Sequence, residues 1–455
     1  MTATQAPLGA FFPQEGGNSI IAPLAVTSEP VRTIDLNGFH WSAVDEEIPQ
    51  QSDANKPKPQ PGQLDKQLGA GKLVESQDKV GPFFPLKQFN RPYFGIGFNM
   101  IFRPRASTKD KPVTSGPNDN ELQLSLTTEQ VTFGGPLGEV PNRGFKGQPG
   151  ITVTGMPYVQ TVQDTSTNPS PCDIHFEPGV WLHVPKSTSP NKDTIVRMAT
   201  IPHGTTINAQ GFVPDFNPES MIGGLPKAPD FENDPANILD TTPFFIDPKT
   251  GGKQPFESMK AETLSEMRLP QRLDGFLDKA TGITKGRITT KIIKNPNLVL
   301  AQALKGLNVV ETITFEVGTG SSSSKQPGLS GGGTTNIGFL GAQPGGASST
   351  AEAVSMTAKY WIEVIKYQVR VPETPPGRIQ RRIGAIMPAG STAPTPRFDI
   401  KAGPSGIPAG GKVVEILGIQ IQVSQLVLLN FGVLTWPHAS VSTLVPTNPQ
   451  EVELQ

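Results

Sequence analysis

Histidine is scarce in this chain, so each imidazole can be considered individually. The five histidines are His40, His175, His183, His203 and His438. Imidazole binds metal ions and is the side chain that most readily gains or loses a proton near neutral pH. The chemistry available to the chain therefore depends on which of these histidines lie beside other polar side chains.

The segment 173–185 alternates polar or aromatic side chains with apolar ones. In a strand, successive side chains point to opposite faces. One face would then carry His175, Glu177, Trp181 and His183. Either this face lines a barrel interior that holds a polar or metal-bearing ligand, or the apolar side chains fill the interior and the histidines face solvent. The alternation does not distinguish the two arrangements.

His203 and Arg197 are the predicted catalytic residues. His203 lies in the sequence IPHGTT, where the flanking Pro and Gly would bend a strand and redirect the imidazole. The alternative is a turn histidine bonded to a carbonyl. Arg197 lies in an apolar strand pattern, where an unpaired charge is costly, as does Glu363. Each is therefore expected to have a partner, either in a structural ion pair or as a ligand-orienting group.

His438 lies near the C-terminus in the sequence TWPHAS, with Trp436 on the same face of the predicted strand. This pair could form an imidazole ligand beside an aromatic wall. The alternative is a packing cluster at a strand end.

Other reactive centres have less support. His175, Glu177 and His203 could in principle supply three metal ligands, but the His-x-His pair typical of cupins is absent. The sequence has no Gly-x-Ser-x-Gly nucleophile motif. The single cysteine, Cys172, can form neither an internal disulfide nor a cysteine-based zinc site.

The composition excludes several classes of protein. The chain has 48 Gly and 47 Pro among 455 residues, which is incompatible with long helices as the dominant structure. Its 39 basic and 40 acidic residues provide no broad positive field for nucleic acid. The start of the chain does not resemble a secretory signal, and the apolar segment 423–436 is shorter than the roughly 18–20 residues that span a bilayer. We expect a cytoplasmic protein with no membrane span and no nucleic-acid partner.

Period-two alternation predicts about ten strands. They cover 93–103, 121–133, 150–163, 173–185, 194–207, 309–317, 335–341, 355–371, 413–429 and 433–445. Gly- and Pro-rich turns separate them, which is typical of an all-β sandwich or barrel. The apolar positions of the 413–431 segment are interpreted as core.

The predicted organisation is an irregular N-terminal arm over residues 1–80, followed by a single β-barrel domain over 81–455. A helical insertion is predicted at 256–304, with one helix in 256–279 and a second over 298–304 that Asn295 caps. A Pro/Gly-rich loop is predicted at 372–410.

Several of these motifs together resemble a bacterial and fungal family of large haem-binding, peroxidase-like β-barrels. The motifs are FNRPYFGIGFNMIFRP, DIHFEPGVWLHVP, TIVRMATIPHGTTINAQG, KYWIEVIKYQ and LLNFGVLTWPHASVSTL. Their order is also similar to that in the calycin and nitrobindin class of haem barrels. The resemblance covers roughly residues 85–210 and 285–445, and this chain is much longer than a simple calycin.

The resemblance implies a calycin-like antiparallel barrel whose apolar cavity holds haem, with one histidine on the iron. His438 matches the histidine near the C-terminus of such barrels and is the expected metal ligand, with His203 second as ligand or distal donor. The other expected cofactor-binding residues are Trp436, His175 and Trp181.

The leading hypothesis is a soluble β-barrel that binds a hydrophobic ligand, with haem as the expected cofactor and peroxidase-like or gas-binding chemistry at the iron. The second is an iron-free carrier for a lipid or a terpenoid-like molecule. The third is a structural β-protein that self-assembles into a homo-oligomer through the N-terminal arm.

Overall fold

A computed structural model gives the fold of most of the chain beyond residue 84. It describes residues 85–104, 106–108, 111–112, 120–165, 172–188, 190–214, 228–241, 244–246, 253–255, 290–319, 352–431 and 434–454. The predicted arm (1–80), the predicted helix in 256–279 and the predicted strand at 335–341 lie outside these residues. His40 also lies outside them. All of the described residues belong to one compact unit.

Strands make up most of the described chain, as the period-two alternation predicts. They are β1 (Tyr93–Pro104), β2 (Ala106–Thr108), β3 (Lys111–Pro112), β4 (Asn120–Phe133), β5 (Val140–Asn142), β6 (Ile151–Asp164), β7 (Cys172–Val184), β8 (Thr194–Thr200), β9 (Thr206–Phe212), β10 (Phe244–Ile246), β11 (Lys253–Pro255), β12 (Asn308–Gly318), β13 (Glu352–Val371), β14 (Ile379–Gly384), β15 (Arg397–Lys401), β16 (Lys412–Phe431), β17 (Leu434–Pro446) and β18 (Gln450–Glu453). The helices of this part of the chain are α1 (Thr290–Lys294), α2 (Leu298–Leu304) and the short 3-10 helices Leu86–Gln88 and Pro235–Asn237.

Ten of the longer strands close into an antiparallel barrel, which confirms the predicted all-β barrel. Their order around the barrel is β1, β4, β6, β7, β8, β9, β12, β13, β16 and β17, and β17 then pairs with β1. Neighbouring strands in the barrel are thus consecutive long strands in the chain. The short strands lie in the connections between them, except β18, which follows β17.

A small second sheet contains β14, β15 and β18, with β15 and β18 parallel. It corrects the prediction of one continuous loop over 372–410, because β14 and β15 lie within that range. The prediction of a single strand over 194–207 was also wrong. The chain turns at 201–205, so β8 and β9 form an antiparallel hairpin.

Helix α2 lies where the sequence predicts a helix, but Asn295 does not cap it. The helix begins after Asn297, whose side chain makes no capping hydrogen bond. Asn295 instead donates from Nδ2 to the carbonyl of Phe231 and accepts from the backbone of Leu239. It therefore ties the helical segment to the loop before it.

The polar and aromatic face of β7 points into the barrel. Glu177 and Trp181 are buried, whereas Phe176 on the opposite face is 46% exposed. The structure thus has the arrangement in which the His/Glu/Trp face lines the interior. In the same way, Asn99 lies on the inner face of β1 and Phe98 packs outside the barrel wall.

Two apolar cores stabilise the domain, since burial of apolar area is the main favourable term in folding. The inner core lies within the barrel and contains Phe89, Trp181, Phe315 and Tyr360. The rings of Phe315 and Tyr360 stack with centroids 4.9 Å apart. The outer core lies between the barrel wall, α2 and the small sheet, and contains Trp361, Leu300 and Phe398.

None of the helices in the described part of the chain has the length and apolar character needed to cross a bilayer.

Candidate functional site

The barrel encloses a cavity of about 400 Å³. Part of its wall is aliphatic, with side chains from β16 that include Ile421, Val423 and Val427. These positions were predicted as core, and they do face inward, but they line an open space. Aromatic side chains of the inner core, including Trp181 and Tyr360, form another part of the wall. The volume lies near the lower end of the range for small-molecule pockets, about 300–1,000 Å³.

A buried ion pair joins β7 and β8 inside the barrel. Arg197 Nη2 lies 2.6 Å from Glu177 Oε1, and both side chains are almost completely buried. The strand register places Trp181 opposite Arg197, so the guanidinium reaches along the interior to Glu177. The partner predicted for Arg197 is therefore Glu177.

Every nitrogen of the Arg197 guanidinium donates to a protein acceptor. Nε donates to Tyr158 Oη at 3.0 Å and to Glu177 Oε1 at 3.1 Å. Nη1 donates to Tyr360 Oη at 2.9 Å and to Gln425 Oε1 at 2.8 Å, and Nη2 bonds to Glu177. Arg197 thus links the polar side chains of the cavity wall and does not present an unused donor to the cavity.

Glu177 is the acceptor at the centre of this network. Tyr158 Oη donates to its Oε1, and His175 Nε2 lies 3.0 Å from its Oε2. Burial alone raises the pKa of Glu177, but Arg197, His175 and Tyr158 outweigh burial and bring the pKa to about 2. The side chain is therefore a carboxylate at neutral pH.

Glu129 on β4 is a second buried carboxyl in the cavity wall. Its Oε2 accepts from Gln160 Nε2 at 3.2 Å, and Ser442 also bonds to it. Burial raises the pKa of Glu129 to about 7, because the nearby hydrogen bonds and charges only partly oppose desolvation. Glu129 therefore changes its charge near neutral pH.

Gly97 provides the space for this carboxyl. It lies on the inner face of β1, and a Cβ at this position would lie 2.8 Å from Glu129 Oε1 and 2.6 Å from Thr127 Oγ1. Thr127 is 1% exposed, and its hydroxyl has no hydrogen-bond partner among the described residues. The glycine in the Gly-rich first strand thus allows two polar oxygens to approach the strand closely.

His438 lines the cavity from β17. Its Nε2 lies 2.6 Å from Asn99 Oδ1, which also accepts from Ser440 Oγ at 3.0 Å. Because Oδ1 is an acceptor, Nε2 carries the proton of the neutral ring. Burial, with the charge of His175 adding to it, lowers the pKa of His438 to about 4, so the ring is neutral at physiological pH.

His203 and His175 lie together at the cavity wall. Their ring centroids are 5.3 Å apart and the rings are perpendicular. His203 lies in the β8–β9 turn, not at a bend within one strand, and burial and His175 lower its pKa. His183 lies away from the cavity lining and contacts Asp193, with Nε2 and Oδ2 2.9 Å apart.

The structure brings together most of the predicted site residues. His175, Trp181, Arg197, His203 and His438 all line the cavity. Trp436 is in β17, but its side chain lies outside the described residues. His175, Glu177 and His203 are close together, yet no set of three or more His, Cys, Asp or Glu side chains in the described ranges is arranged to hold a metal ion.

Several residues that complete the polar wall were not predicted from the sequence. Glu129 and Gln160 were not singled out, although each is a polar residue in a predicted strand. Gln425 and Ser442 were also missed. The only signal in the sequence was the alternation of the strand, which places Glu129 on the same face as the apolar Val131 and Phe133.

Comparison with known proteins gives no match for this chain among protein-family models, curated proteins or solved structures.

Proposed function

We propose that the barrel binds a compact amphipathic organic molecule in its interior cavity. The observation that carries this proposal is a cavity of about 400 Å³ with an aliphatic and aromatic wall and one polar region of fixed geometry. Ligand pockets combine such an apolar lining with a few polar groups that orient the ligand.

The polar region is held together by one hydrogen-bond network. Arg197 and Glu177 connect side chains from β6, β7, β8, β13 and β16. A buried ion pair is weak evidence for stability, because apolar side chains of similar volume are often at least as stable. Ligand binding gives a direct reason to retain this network, because the network fixes polar groups in place beside an apolar ligand.

Haem is the ligand that the family resemblance implies, and the described residues fit it poorly. His438 is neutral, as an iron ligand must be, but its Nε2 is already bonded to Asn99. Only Nδ1, which is next to Cβ, would be left to bind iron. The cavity is also small for a macrocycle and carries the carboxyl groups of Glu129 and Glu177 in its wall. Haem binding stays a prediction from the resemblance, and the geometry supports an iron-free ligand better.

A titration with an uncharged fluorescent probe tests the proposal. Prodan, a compact naphthalene derivative, is expected to bind in a saturable way with a blue-shifted emission. Val423→Trp should abolish binding because the indole fills the cavity. Val159→Trp is the matched control, because Val159 is 40% exposed on the outer surface of the barrel. Equal binding by both variants would overturn the proposal.

A titration with hemin tests the haem alternative on the same protein. The geometry predicts no saturable red-shifted Soret band that depends on a cavity histidine. Such a band in the wild type, lost in His438→Ala or His203→Ala, would instead establish haem as the ligand.

A further inference from the structure

We propose that the ligand of this cavity carries a basic nitrogen, and that Glu129 is its counter-ion. This inference rests on the proposed function, because it names the chemical class of ligand for the same cavity.

The two buried carboxyls of the cavity wall differ in their partners. Glu177 has an ion pair with Arg197 at 2.6 Å. Glu129 is 6% exposed, and within the described parts of the chain it makes no ion pair. Its neighbours Gln160 and Ser442 supply neutral hydrogen bonds only. A buried carboxylate is strongly disfavoured without a positive partner, and the charges of His175 and Arg197 oppose the desolvation of Glu129 only in part. Among the described residues, no cation is therefore paired directly with Glu129.

The protein groups that face Glu129 do not supply this partner. Arg197 acts on Glu129 through its charge, but each of its nitrogens is bonded to another acceptor. His175 contacts Glu177 through Nε2, and His438 is neutral. Glu177 is itself a carboxylate, and the lowered pKa of His203 leaves its ring neutral at neutral pH. The remaining groups around the carboxyl are uncharged at neutral pH: Gly97 and Asn99 on β1, Thr127 on β4, Tyr158 and Gln160 on β6, Tyr360 on β13, and Ser440 and Ser442 on β17.

A buried hydroxyl oxygen without a hydrogen-bond partner lies beside the Glu129 carboxyl. Thr127 Oγ1 and Glu129 Oε1 both lie within 3 Å of the position that a Cβ on Gly97 would occupy, at 2.6 and 2.8 Å. The Thr127 hydroxyl is buried without a hydrogen-bond partner in the described structure. An ammonium group offers several N–H donors and so can satisfy both oxygens.

The rest of the cavity wall also suits an organic cation. The rings of Phe133, Tyr158 and Tyr360 line the cavity, and aromatic faces attract cations within about 6 Å. The aliphatic side chains of β16 would contact the apolar part of the same molecule. The site therefore combines a carboxylate, aromatic faces and an apolar wall, which together select a hydrophobic amine.

Matched pairs of probes test the inference by competition with prodan. The pairs are cyclohexylmethylamine and cyclohexylmethanol, 2-phenylethylamine and 2-phenylethanol, and 1-adamantanemethylamine and 1-adamantanemethanol. At pH 8, each amine is expected to bind at least about tenfold more tightly than the alcohol of the same shape. Glu129→Gln should remove this advantage and retain prodan binding. Glu415→Gln, which changes an exposed carboxyl, should keep it.

The wild-type protein alone provides a second measurement, which does not depend on a variant folding. The amines stay protonated at pH 5.5, whereas Glu129 with a pKa of about 7 becomes neutral there. The advantage of the amines should therefore fall between pH 8 and pH 5.5.

The outcomes separate this inference from the proposed function. If prodan binds but amines and alcohols compete equally in all three pairs at pH 8, the inference is wrong and the proposed function stands. If prodan does not bind, the proposed function fails and the inference fails with it.

Discussion

Arg197 and Gln425 are joined across the barrel interior by a hydrogen bond of 2.8 Å, although 228 residues separate them in the sequence. Arg197 lies on β8 and Gln425 on β16, and these strands are not neighbours in the sheet. The guanidinium thus connects opposite walls of the barrel at the level of the cavity. Glu177, Tyr360 and Gln425, which lie on three different strands, are thus bonded to one residue.

Arg197→Met tests the ion pair with Glu177. The variant leaves Glu177 buried without its cation, so we expect the free energy of unfolding to fall by about 3–5 kcal/mol. In the double variant Arg197→Met, Glu177→Met no uncompensated charge remains, and the loss should be clearly smaller. Equilibrium denaturation in urea measures both. If the single variant were at least as stable as the double variant, the ion pair would not have the role assigned to it.

Glu363 provides a prediction about pH. This carboxyl lies on the outer face of β13, is completely buried, and accepts from Gln420 Nε2 at 2.8 Å. The partner found for Glu363 is this neutral amide. Burial raises the pKa of Glu363 to about 8 from the ordinary value of 4.5. At neutral pH the folded protein therefore keeps a proton that the unfolded chain has lost.

The sign of the pH effect follows from this difference. A group whose pKa is higher in the folded state contributes stability below the unfolded value and loses it as pH rises toward the folded value. Stability from Glu363 should thus decrease between about pH 4.5 and pH 8. Glutamine has nearly the same shape as glutamate but does not titrate. As pH rises over this range, the unfolding free energy of Glu363→Gln should therefore increase relative to that of the wild type. Parallel pH profiles for the two proteins would show that Glu363 is ionised when folded.

Gly97→Ala tests the space beside Glu129. The added methyl group would lie 2.7 Å from the carbonyl oxygen of Val441, as well as close to Thr127 and Glu129. We expect a loss of about 1–3 kcal/mol in unfolding free energy from overpacking. Gly135→Ala is the control, because nothing lies within 4 Å of its Cβ position and its effect should be within about 0.5 kcal/mol. Similar losses in both variants would mean that the close contacts at Gly97 do not decide the effect.

The sequence allowed most of the barrel to be predicted, because alternation along β1, β7 and β16 is a local signal. The direction of each face was not predictable in the same way. On β7 both faces contain large side chains, and only closure of the barrel determines that Glu177 is inside and Phe176 outside. Short strands without strong alternation were missed. β15 pairs in parallel with β18, which lies about fifty residues further along the chain, so no local pattern marks the pair.

The site was predictable only in part for the same reason. Histidines and an arginine stand out in a chain that is poor in charged residues, and five of the predicted residues line the cavity. Glu129, Gln160 and Gln425 do not stand out, because each is an ordinary polar residue in an alternating strand. Their importance comes from contacts between strands that are distant in the sequence, such as Gln160 with Glu129 and Gln425 with Arg197.

A crystal structure of the protein with prodan bound is the most direct test of the central claim that the barrel interior is a ligand site. The account predicts electron density for one probe molecule inside the barrel, against Val423 and Ile421. Density found only on the outer wall, where Phe176 and Met198 are 46% and 41% exposed, would contradict it.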